Sequence, residues 1–282
     1  MELTEREIRE LRSRAQTVRQ HIVRMVASAG AGHPGGSLSA ADIIVTLFGK
    51  VMRVDPARPA WPERDRFILS KGHAAPALYA TLAELGYFSL DHLLTFDHID
   101  SILQGHPDMT KTPGVDMSSG SLGQGLSVGV GMALGARVLH HDFRTYVLLG
   151  DGELQEGQVW EAAMLASKYH LNNLTAIVDA NCLQLAGQTS VIMPTCEPYG
   201  PKWAAFGWNV LEADGHDIPA IAAALGRARA YGDGPTIIVA HTVKGKGVSF
   251  MEHNVAWHSR ALTPEELTRA LQDLAAEGGQ RP

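Results

Sequence analysis

Two short apolar runs, joined by a helical segment, constrain the possible fold of this chain more than any other part of its sequence. The first run, residues 146–149, leads into a Gly-Asp-Gly turn centred on Asp151, and the second, residues 174–178, leads to Asn181. Runs of this length indicate buried strands, and a right-handed crossover brings the carboxyl ends of neighbouring parallel strands to one edge. Asp151 and Asn181 are therefore predicted to converge at one edge of an α/β sheet.

These two side chains offer hard oxygen donors at the edge where open α/β sheets bind ligands. Such donors suit Mg²⁺ or Ca²⁺ shared with a phosphate, and Gly152 lets the backbone approach a diphosphate closely. Taken alone, a Gly-Asp-Gly turn is more often structural. The strands on both sides of Asp151 and Asn181 favour a metal–diphosphate site instead.

Strand-like runs near residues 66, 146, 174, 208 and 236 alternate with helical segments along the whole chain. This alternation predicts an α/β fold, a parallel sheet with helices on both faces. No long linker and no internal repeat interrupts it, so residues 1–282 are interpreted as a single domain.

The composition excludes several classes of partner. The net charge is −6 and no Lys/Arg run occurs, so nothing indicates nucleic-acid binding. The apolar runs are shorter than the roughly 18–20 residues of a membrane span. The two cysteines, Cys182 and Cys196, form no Cys-x-x-Cys pair, which favours reduced thiols in a cytoplasmic protein.

Three further segments carry specific structural expectations. Residues 30–37, rich in glycine, are predicted to be a shaped loop before a helix at 38–51, and the polar residues 188–201 are predicted to be a second loop. Within a predicted helix at 126–137, small residues recur every four positions from Gly125. That face permits close packing, either across a subunit interface or inside the domain, and both alternatives stay open.

Histidines in loops mark a second candidate feature. His33, His73 and His106 each lie beside glycine after a secondary-structure element, and His258 lies in an irregular segment near the end. Any one of them alone is more often structural. Together they favour a shared, histidine-lined cleft.

Six segments, in this order, resemble one known family: SAGAGHPGG at 28–36, SKGHA at 70–74, GHP at 105–107, SGSLGQGL at 119–126, GDGELQEGQVWEA at 150–162 and DANCL at 179–183. Together they are similar to the N-terminal, diphosphate-binding half of the transketolases. The Gly-Asp-Gly and Asn pair alone implies a thiamine-diphosphate enzyme, and GHPGG and LGQG narrow the resemblance to transketolases. The resemblance implies transfer of a two-carbon ketol group from a ketose (phosphate) to an aldose (phosphate).

The resemblance also implies roles for individual residues. Asp151, Asn181 and the carbonyl of Leu183 would bind the metal, Mg²⁺ or else Ca²⁺ or Mn²⁺. The other implied residues are Gly152, His73 and His258 at the diphosphate, Gly120 and Leu122 at the thiazolium, and His33 and His106 at the sugar hydroxyls. The four histidines form the implied catalytic set. Glu156 is also an implied cofactor-binding residue. Glu156 and Glu161 match acidic residues that, in the family, lie at the subunit interface and belong to a network between the two active sites.

A whole transketolase is much longer and carries the pyrimidine-binding half, with the glutamate that activates the cofactor. The resemblance therefore implies a split enzyme, in which this chain pairs with a C-terminal subunit in an α2β2 assembly.

Three alternatives remain open. One is another thiamine-diphosphate enzyme, an E1-type subunit or a deoxyxylulose-phosphate synthase, which GHPGG and GHP argue against. Another is a non-catalytic cofactor-binding scaffold. A Rossmann-type nucleotide enzyme is disfavoured because no Gly-x-Gly-x-x-Gly follows a first strand.

Overall fold

The computed structural model describes residues 1–279, in which helices and strands alternate as predicted. The α-helices are α1 (Glu5–Ala29), α2 (Pro34–Thr46), α3 (Ala75–Glu84), α4 (Gly125–Val138), α5 (Gly157–Lys168), α6 (Thr189–Ile192), α7 (Tyr199–Ala205), α8 (Ile218–Ala230) and α9 (Pro264–Gly279). The strands are β1 (Arg66–Leu69), β2 (Thr145–Gly150), β3 (Leu174–Ala180), β4 (Leu183–Gln184), β5 (Gly187–Gln188), β6 (Asn209–Asp214) and β7 (Thr236–His241).

The main sheet has five strands in the order β1-β2-β3-β7-β6, all of them parallel. Helices cover both faces of the sheet, and successive residues of β2 pack alternately on the two faces. Tyr146 and Leu148 pack in the core under α1, α2, α3 and α8, whereas Val147 and Leu149 pack in the core under α4, α5 and α7. The predicted α/β fold with helices on both faces is confirmed.

Helix α1 begins with a capping box formed by Thr4 and Glu7. The Thr4 backbone N–H donates to Glu7 Oε2 at 2.8 Å, and the Glu7 N–H donates to Thr4 Oγ1 at 3.3 Å. Both groups would otherwise be unpaired at a helix N-terminus, so this exchange fixes where the helix starts. Its periodic apolar face, from Ile8 onward, is buried.

The prediction of a loop over residues 30–37 was wrong at its C-terminal end, because α2 already begins at Pro34. Proline is favoured in the first turn of a helix, where its missing N–H costs nothing. The glycines serve close packing rather than loop flexibility. A Cβ on Gly35 would lie 2.7 Å from the Trp257 carbonyl oxygen, and one on Gly36 would lie 3.4 Å from His73 Nε2.

The prediction of a polar loop over residues 188–201 was also wrong in part. This stretch holds α6, a 3₁₀ turn at Pro194–Cys196 and the start of α7. Helix α7 carries Trp203, which is fully buried, with its ring 5.1 Å from that of Trp160 and 4.9 Å from that of Trp208. Burial of these aromatic rings explains helix formation where the local composition indicates a loop.

The small-residue face of α4 packs inside the domain. A Cβ on Gly129 would lie 2.5 Å from Val147 Cγ2 of β2, so the helix rests directly on the sheet. This observation favours the internal alternative for that face. Gly131 and Gly135, on other sides of the helix, have no neighbouring atoms within 4 Å of a Cβ position.

Within residues 1–279, no helix combines the length and the apolar character that crossing a membrane requires.

Candidate functional site

The ends of β2 and β3 form the centre of the candidate site. Gly150 pairs with Asp179 in the parallel register, so Asp151 and Asn181 follow adjacent strand ends. Both side chains are buried. Asp151 Oδ1 accepts from the Gly152 N–H at 2.7 Å, and its Oδ2 accepts from the Cys182 N–H at 2.5 Å. These contacts tie the turn after β2 to the turn after β3.

The charge of Asp151 is poorly compensated. Burial, together with the nearby Asp179 carboxylate, raises the pKa of Asp151 to about 6. A cation is favoured next to a buried carboxylate of this kind because it offsets both the lost hydration and the like-charge repulsion.

The donor set fits a hard divalent cation. It comprises the Asp151 carboxylate, the Asn181 amide oxygen and the Leu183 carbonyl, all oxygen ligands of the type that Mg²⁺ and Ca²⁺ prefer. Asn181 Oδ1 accepts from the Leu183 N–H at 3.1 Å, which holds these two donors together. Within residues 1–279 no group of three or more His, Cys, Asp or Glu side chains could hold a metal, so further ligands would come from a diphosphate and water.

Lys244 is a site residue that the sequence reasoning missed. Its Nζ donates to the Leu183 carbonyl at 2.7 Å and lies 2.8 Å from His258 Nδ1, which links the turn after β3 to the histidines. Burial, followed by repulsion from Lys71, lowers the pKa of Lys244 to about 8. The available signal was a lysine beside glycine in HTVKGKG, at the end of a predicted strand.

Lys71 and Asp179 form a buried ion pair beneath the same edge, and the sequence reasoning missed this pair too. Lys71 Nζ donates to the Asp179 carboxylate and, at 3.1 Å, to the Gly36 carbonyl, while Ser39 Oγ donates to Asp179 at 2.6 Å. Burial raises the pKa of Asp179, but Lys71 and the hydroxyl donors Ser39 and Thr242 together outweigh it, so the pKa stays below its ordinary value. The pair fixes the first turn of α2 against the ends of β1 and β3.

A third buried acid, Glu153, organises the glycine loop before α4. It accepts from Ser70 Oγ, from the Gly123 N–H at 2.9 Å and from the Gly150 N–H at 3.0 Å. Burial raises the pKa of Glu153 despite these donors. Loop 120–125 is thereby held beside the turn that carries Asp151.

The four predicted histidines lie together. His33 directly precedes α2, and His73 lies in a 3₁₀ turn after β1. His106 lies in the loop between α3 and α4, and His258 follows a 3₁₀ turn near the end of the chain. The ring of His33 lies 5.3 Å from that of His73, 5.9 Å from that of His106 and 5.7 Å from that of His258. The rings of His73 and His258 are 5.2 Å apart.

Burial and positive neighbours keep three of these rings neutral. Burial, then repulsion from His106, lowers the pKa of His33 to about 4. Burial and Lys244 lower the pKa of His258 to about 3, and burial and Lys71 hold that of His73 well below its ordinary value. Neutral imidazoles both donate and accept hydrogen bonds, which suits a cleft that binds sugar hydroxyls.

These shifts predict that the chain loses stability in mild acid. Below pH 6.5 the three histidines are protonated in the unfolded chain but stay neutral in the folded one, so acid favours unfolding. Asp151 acts in the opposite direction, because its raised pKa makes the folded state take up a proton as pH falls toward 6. After discounting these half-buried rings for solvent screening, we expect a net loss of about 2 kcal/mol in the free energy of unfolding between pH 7 and pH 5.

Urea denaturation of the cofactor-free chain at both pH values measures this loss. The half-buried His73 provides the control, since His73→Asn should make the pH dependence shallower. Equal stability at the two pH values would contradict the histidine assignment.

The other predicted residues surround this cluster. Gly120 has φ of +153°, and its Cβ position lies 3.1 Å from His106 Cδ2, so loop 120–125 contacts the histidine cluster. Leu122 is half-buried in the same loop, and Glu156 is exposed beside Gly123. Glu161 is exposed on α5 and lies at the protein surface, not in the histidine cluster.

Comparison with known proteins gives concordant results. The model of the transketolase thiamine diphosphate binding domain matches residues 11–280. The 6-deoxy-6-sulfo-D-fructose transketolase subunit SqwG of Clostridium sp. is 44% identical over 95% of this chain and 98% of its own length. The apulose-4-phosphate transketolase subunit of Phocaeicola vulgatus is 41% identical, over 95% of each chain.

Among solved structures, transketolase from Leishmania mexicana superposes with a TM-score of 0.90 at 32% identity. The match covers 96% of this chain but 42% of that longer one. The subunit relatives therefore match this chain over nearly the whole length of both proteins, whereas this chain spans less than half of the longer transketolase.

Proposed function

The chain belongs to the transketolase family, and we propose that it acts as the N-terminal, thiamine-diphosphate-binding subunit of a split transketolase. The observation that carries this proposal is the near-complete match to relatives that are themselves named as transketolase subunits. The geometry supports it, because the cofactor edge and the histidine cleft that this half of the enzyme requires lie side by side.

Several residues at this edge are suited to hold the cofactor and its metal. Asp151, Asn181 and the Leu183 carbonyl would bind the divalent cation. The diphosphate would be held by the backbone at Gly152 and by His73 and His258, and loop 120–125, with Gly120 and Leu122, would lie toward the thiazolium. Lys244 would add positive charge near the diphosphate.

Thiamine diphosphate supplies, when bound, the chemistry that detaches a two-carbon ketol group from one sugar and passes it to another. His33 and His106 would bind sugar hydroxyls at the mouth of the cleft. A diphosphate near Lys244 would offset part of the positive charge that, after burial, lowers the pKa values of His73 and His258.

A separate C-terminal subunit would complete the site. Apolar side chains near the cofactor edge provide a surface for it: Leu185 is 67% exposed and Val191 72% exposed, and Ile192 and Met193 accompany them. Glu156 and Glu161 would lie where two copies of this chain meet in an α2β2 assembly. The free thiols Cys182 and Cys196 fit a reducing, cytoplasmic environment.

The reaction class separates this proposal from its alternatives. We expect the complex purified with its native partner to transfer a ketol group from a ketose phosphate to an aldose phosphate, which product analysis by mass spectrometry would detect. Consumption of pyruvate without ketol transfer would favour an E1-type or deoxyxylulose-phosphate synthase function. Cofactor binding with no turnover of any ketose would favour the non-catalytic scaffold.

A further inference from the structure

A line of buried polar contacts runs from α1 to the loop after β7, outside the residues assigned above. Arg19 of α1 donates to Asp42 Oδ1 of α2 at 3.1 Å through Nη1, and its Nη2 donates to Oδ2. His216, in the turn after β6, places Nδ1 at 2.8 Å from Asp42 Oδ2. The Val243 backbone N–H donates to His216 Nε2 at 2.8 Å.

These contacts define the protonation of His216. A backbone N–H can only donate, so Nε2 carries a lone pair and the ring proton lies on Nδ1, where it donates to Asp42. Asp42 is suited to accept. Although burial raises the pKa of Asp42, Arg19 and His216 lower it to about 2, so the carboxylate stays ionised. His216 is thus a neutral ring held between a fixed acceptor and a backbone donor.

The Val243 backbone is important for the candidate site because the next residue is Lys244. Lys244 makes the two contacts that join the cluster, to the Leu183 carbonyl and to His258, and its side chain is buried. On the other side of the turn, the Gly245 N–H donates to the Gly35 carbonyl at 3.0 Å. His216 therefore supports the backbone at the residue before the lysine.

The turn that carries His216 packs against the loop after β7, which contains Val243 and Lys244. The Gly215 N–H donates to the His241 carbonyl at 2.7 Å, and any Cβ on Gly215 would collide with the Thr242 side chain. The His216 N–H donates to Asp214 Oδ1 at 2.8 Å, which fixes the start of the turn. The Asp-Gly-His sequence thus places the ring at the Val243 amide with little freedom.

We propose that His216 is a positioning residue for cofactor binding: by accepting from the Val243 N–H it sets where Lys244 presents its ammonium to the diphosphate. This inference rests on the proposed function, since it requires a diphosphate beside Lys244. It assigns a role to a motif that neither the metal site nor the histidine cluster includes.

Two substitutions of different length separate the contacts of His216. Asn reaches about as far as Nδ1, so His216→Asn keeps a donor for Asp42 but loses the acceptor for Val243. Gln reaches about as far as Nε2, so His216→Gln keeps that acceptor. With one hydrogen bond lost behind the lysine, we expect His216→Asn to weaken thiamine diphosphate binding about tenfold and His216→Gln less than about threefold.

The experiment is calorimetric titration of thiamine diphosphate, at saturating Mg²⁺, into the purified complex of the chain with its partner. His21→Asn is the matched control. His21 is another partly buried histidine, with one contact to a carboxylate, Nε2 at 2.9 Å from Glu84 Oε1, between α1 and α3. The His21→Asn variant should have a lower unfolding midpoint than the wild type, but its cofactor affinity should stay within about twofold of the wild-type value.

Weaker binding by His216→Asn, recovered by Gln and absent in the control, supports the inference. Wild-type affinity in His216→Asn, or equal weakening by Asn and Gln, overturns it while leaving the proposed function intact. Failure of the wild-type complex to bind thiamine diphosphate overturns both proposals.

Discussion

Asp151→Ala should abolish the rise in melting temperature that Mg²⁺ and thiamine diphosphate together produce. The substitution removes the carboxylate among the three oxygen donors, and neither the Asn181 amide nor the Leu183 carbonyl carries a charge to replace it. A ligand present at a hundredfold excess over its dissociation constant stabilises a folded protein by about 2.7 kcal/mol. For a chain of this size that corresponds to a rise of about 5–10 °C in the wild-type protein.

The measurement is a thermal melt of wild-type and variant, each with and without Mg²⁺ and cofactor. Asp233→Ala is the matched control. Asp233 is exposed and precedes β7, so it lies at the amino-terminal ends of the strands, whereas Asp151 lies at their carboxyl ends. It should keep the full rise. A variant at residue 151 that keeps the wild-type rise would remove the metal assignment.

The second large effect concerns catalysis: the isolated chain should be inactive until a C-terminal subunit is supplied. The buried acids Asp151, Glu153 and Asp179 are each committed to backbone amides, hydroxyls or a lysine, so none is available to activate the cofactor. The family resemblance assigns that task to a glutamate of the other half. Because a positioned acid or base contributes about 10²–10⁴-fold, we expect a deficit of at least that order in the isolated chain.

Ketol transfer measured for the chain alone, the partner alone and the mixture tests this dependence. Activity should be found in the mixture, and a mixture containing Asp151→Ala should be as inactive as the separate chains. An isolated chain that turns over sugars as fast as the mixture would refute the requirement for a partner.

The sequence predicted the candidate site best where a local residue pattern, such as a strand followed by a polar residue, also determines a position in the fold. Apolar runs followed by Asp151 and Asn181 predicted adjacent strand ends, because parallel connections leave few alternatives. The glycine-flanked histidines predicted a shared cleft because three of them recur in loops, each after a secondary-structure element. Neither inference depends on side-chain detail.

The buried ionic contacts could not be predicted in the same way. Lys71, Glu153, Asp179 and Lys244 have partners between 30 and 140 positions away, apart from the local contacts of Glu153 with Gly150 and of Lys244 with His258. Nothing in the neighbouring sequence identifies such a partner. A lysine beside glycine at the end of a strand was the available signal, and it is weak without knowledge of what faces it.

The two misassigned loops have related explanations. Residues 34–37 form a helical turn because their glycines accept close contact with Trp257 and His73, which come from distant parts of the chain. Residues 188–201 gain helical structure from aromatic burial at Trp203. In both stretches tertiary packing overrides the local preference for a loop.

The histidine cluster draws on nearly the whole length of the polypeptide, since His33 stands near its start and His258 near its end. Backbone contacts join these extremes: the Arg260 N–H donates to the Gly32 carbonyl at 3.0 Å, beside the contact between Gly245 and Gly35. No contiguous fragment can therefore assemble the cleft. A chain that ends before His258 would lack one side of the cleft, so we expect it to bind the cofactor more weakly than the full chain does.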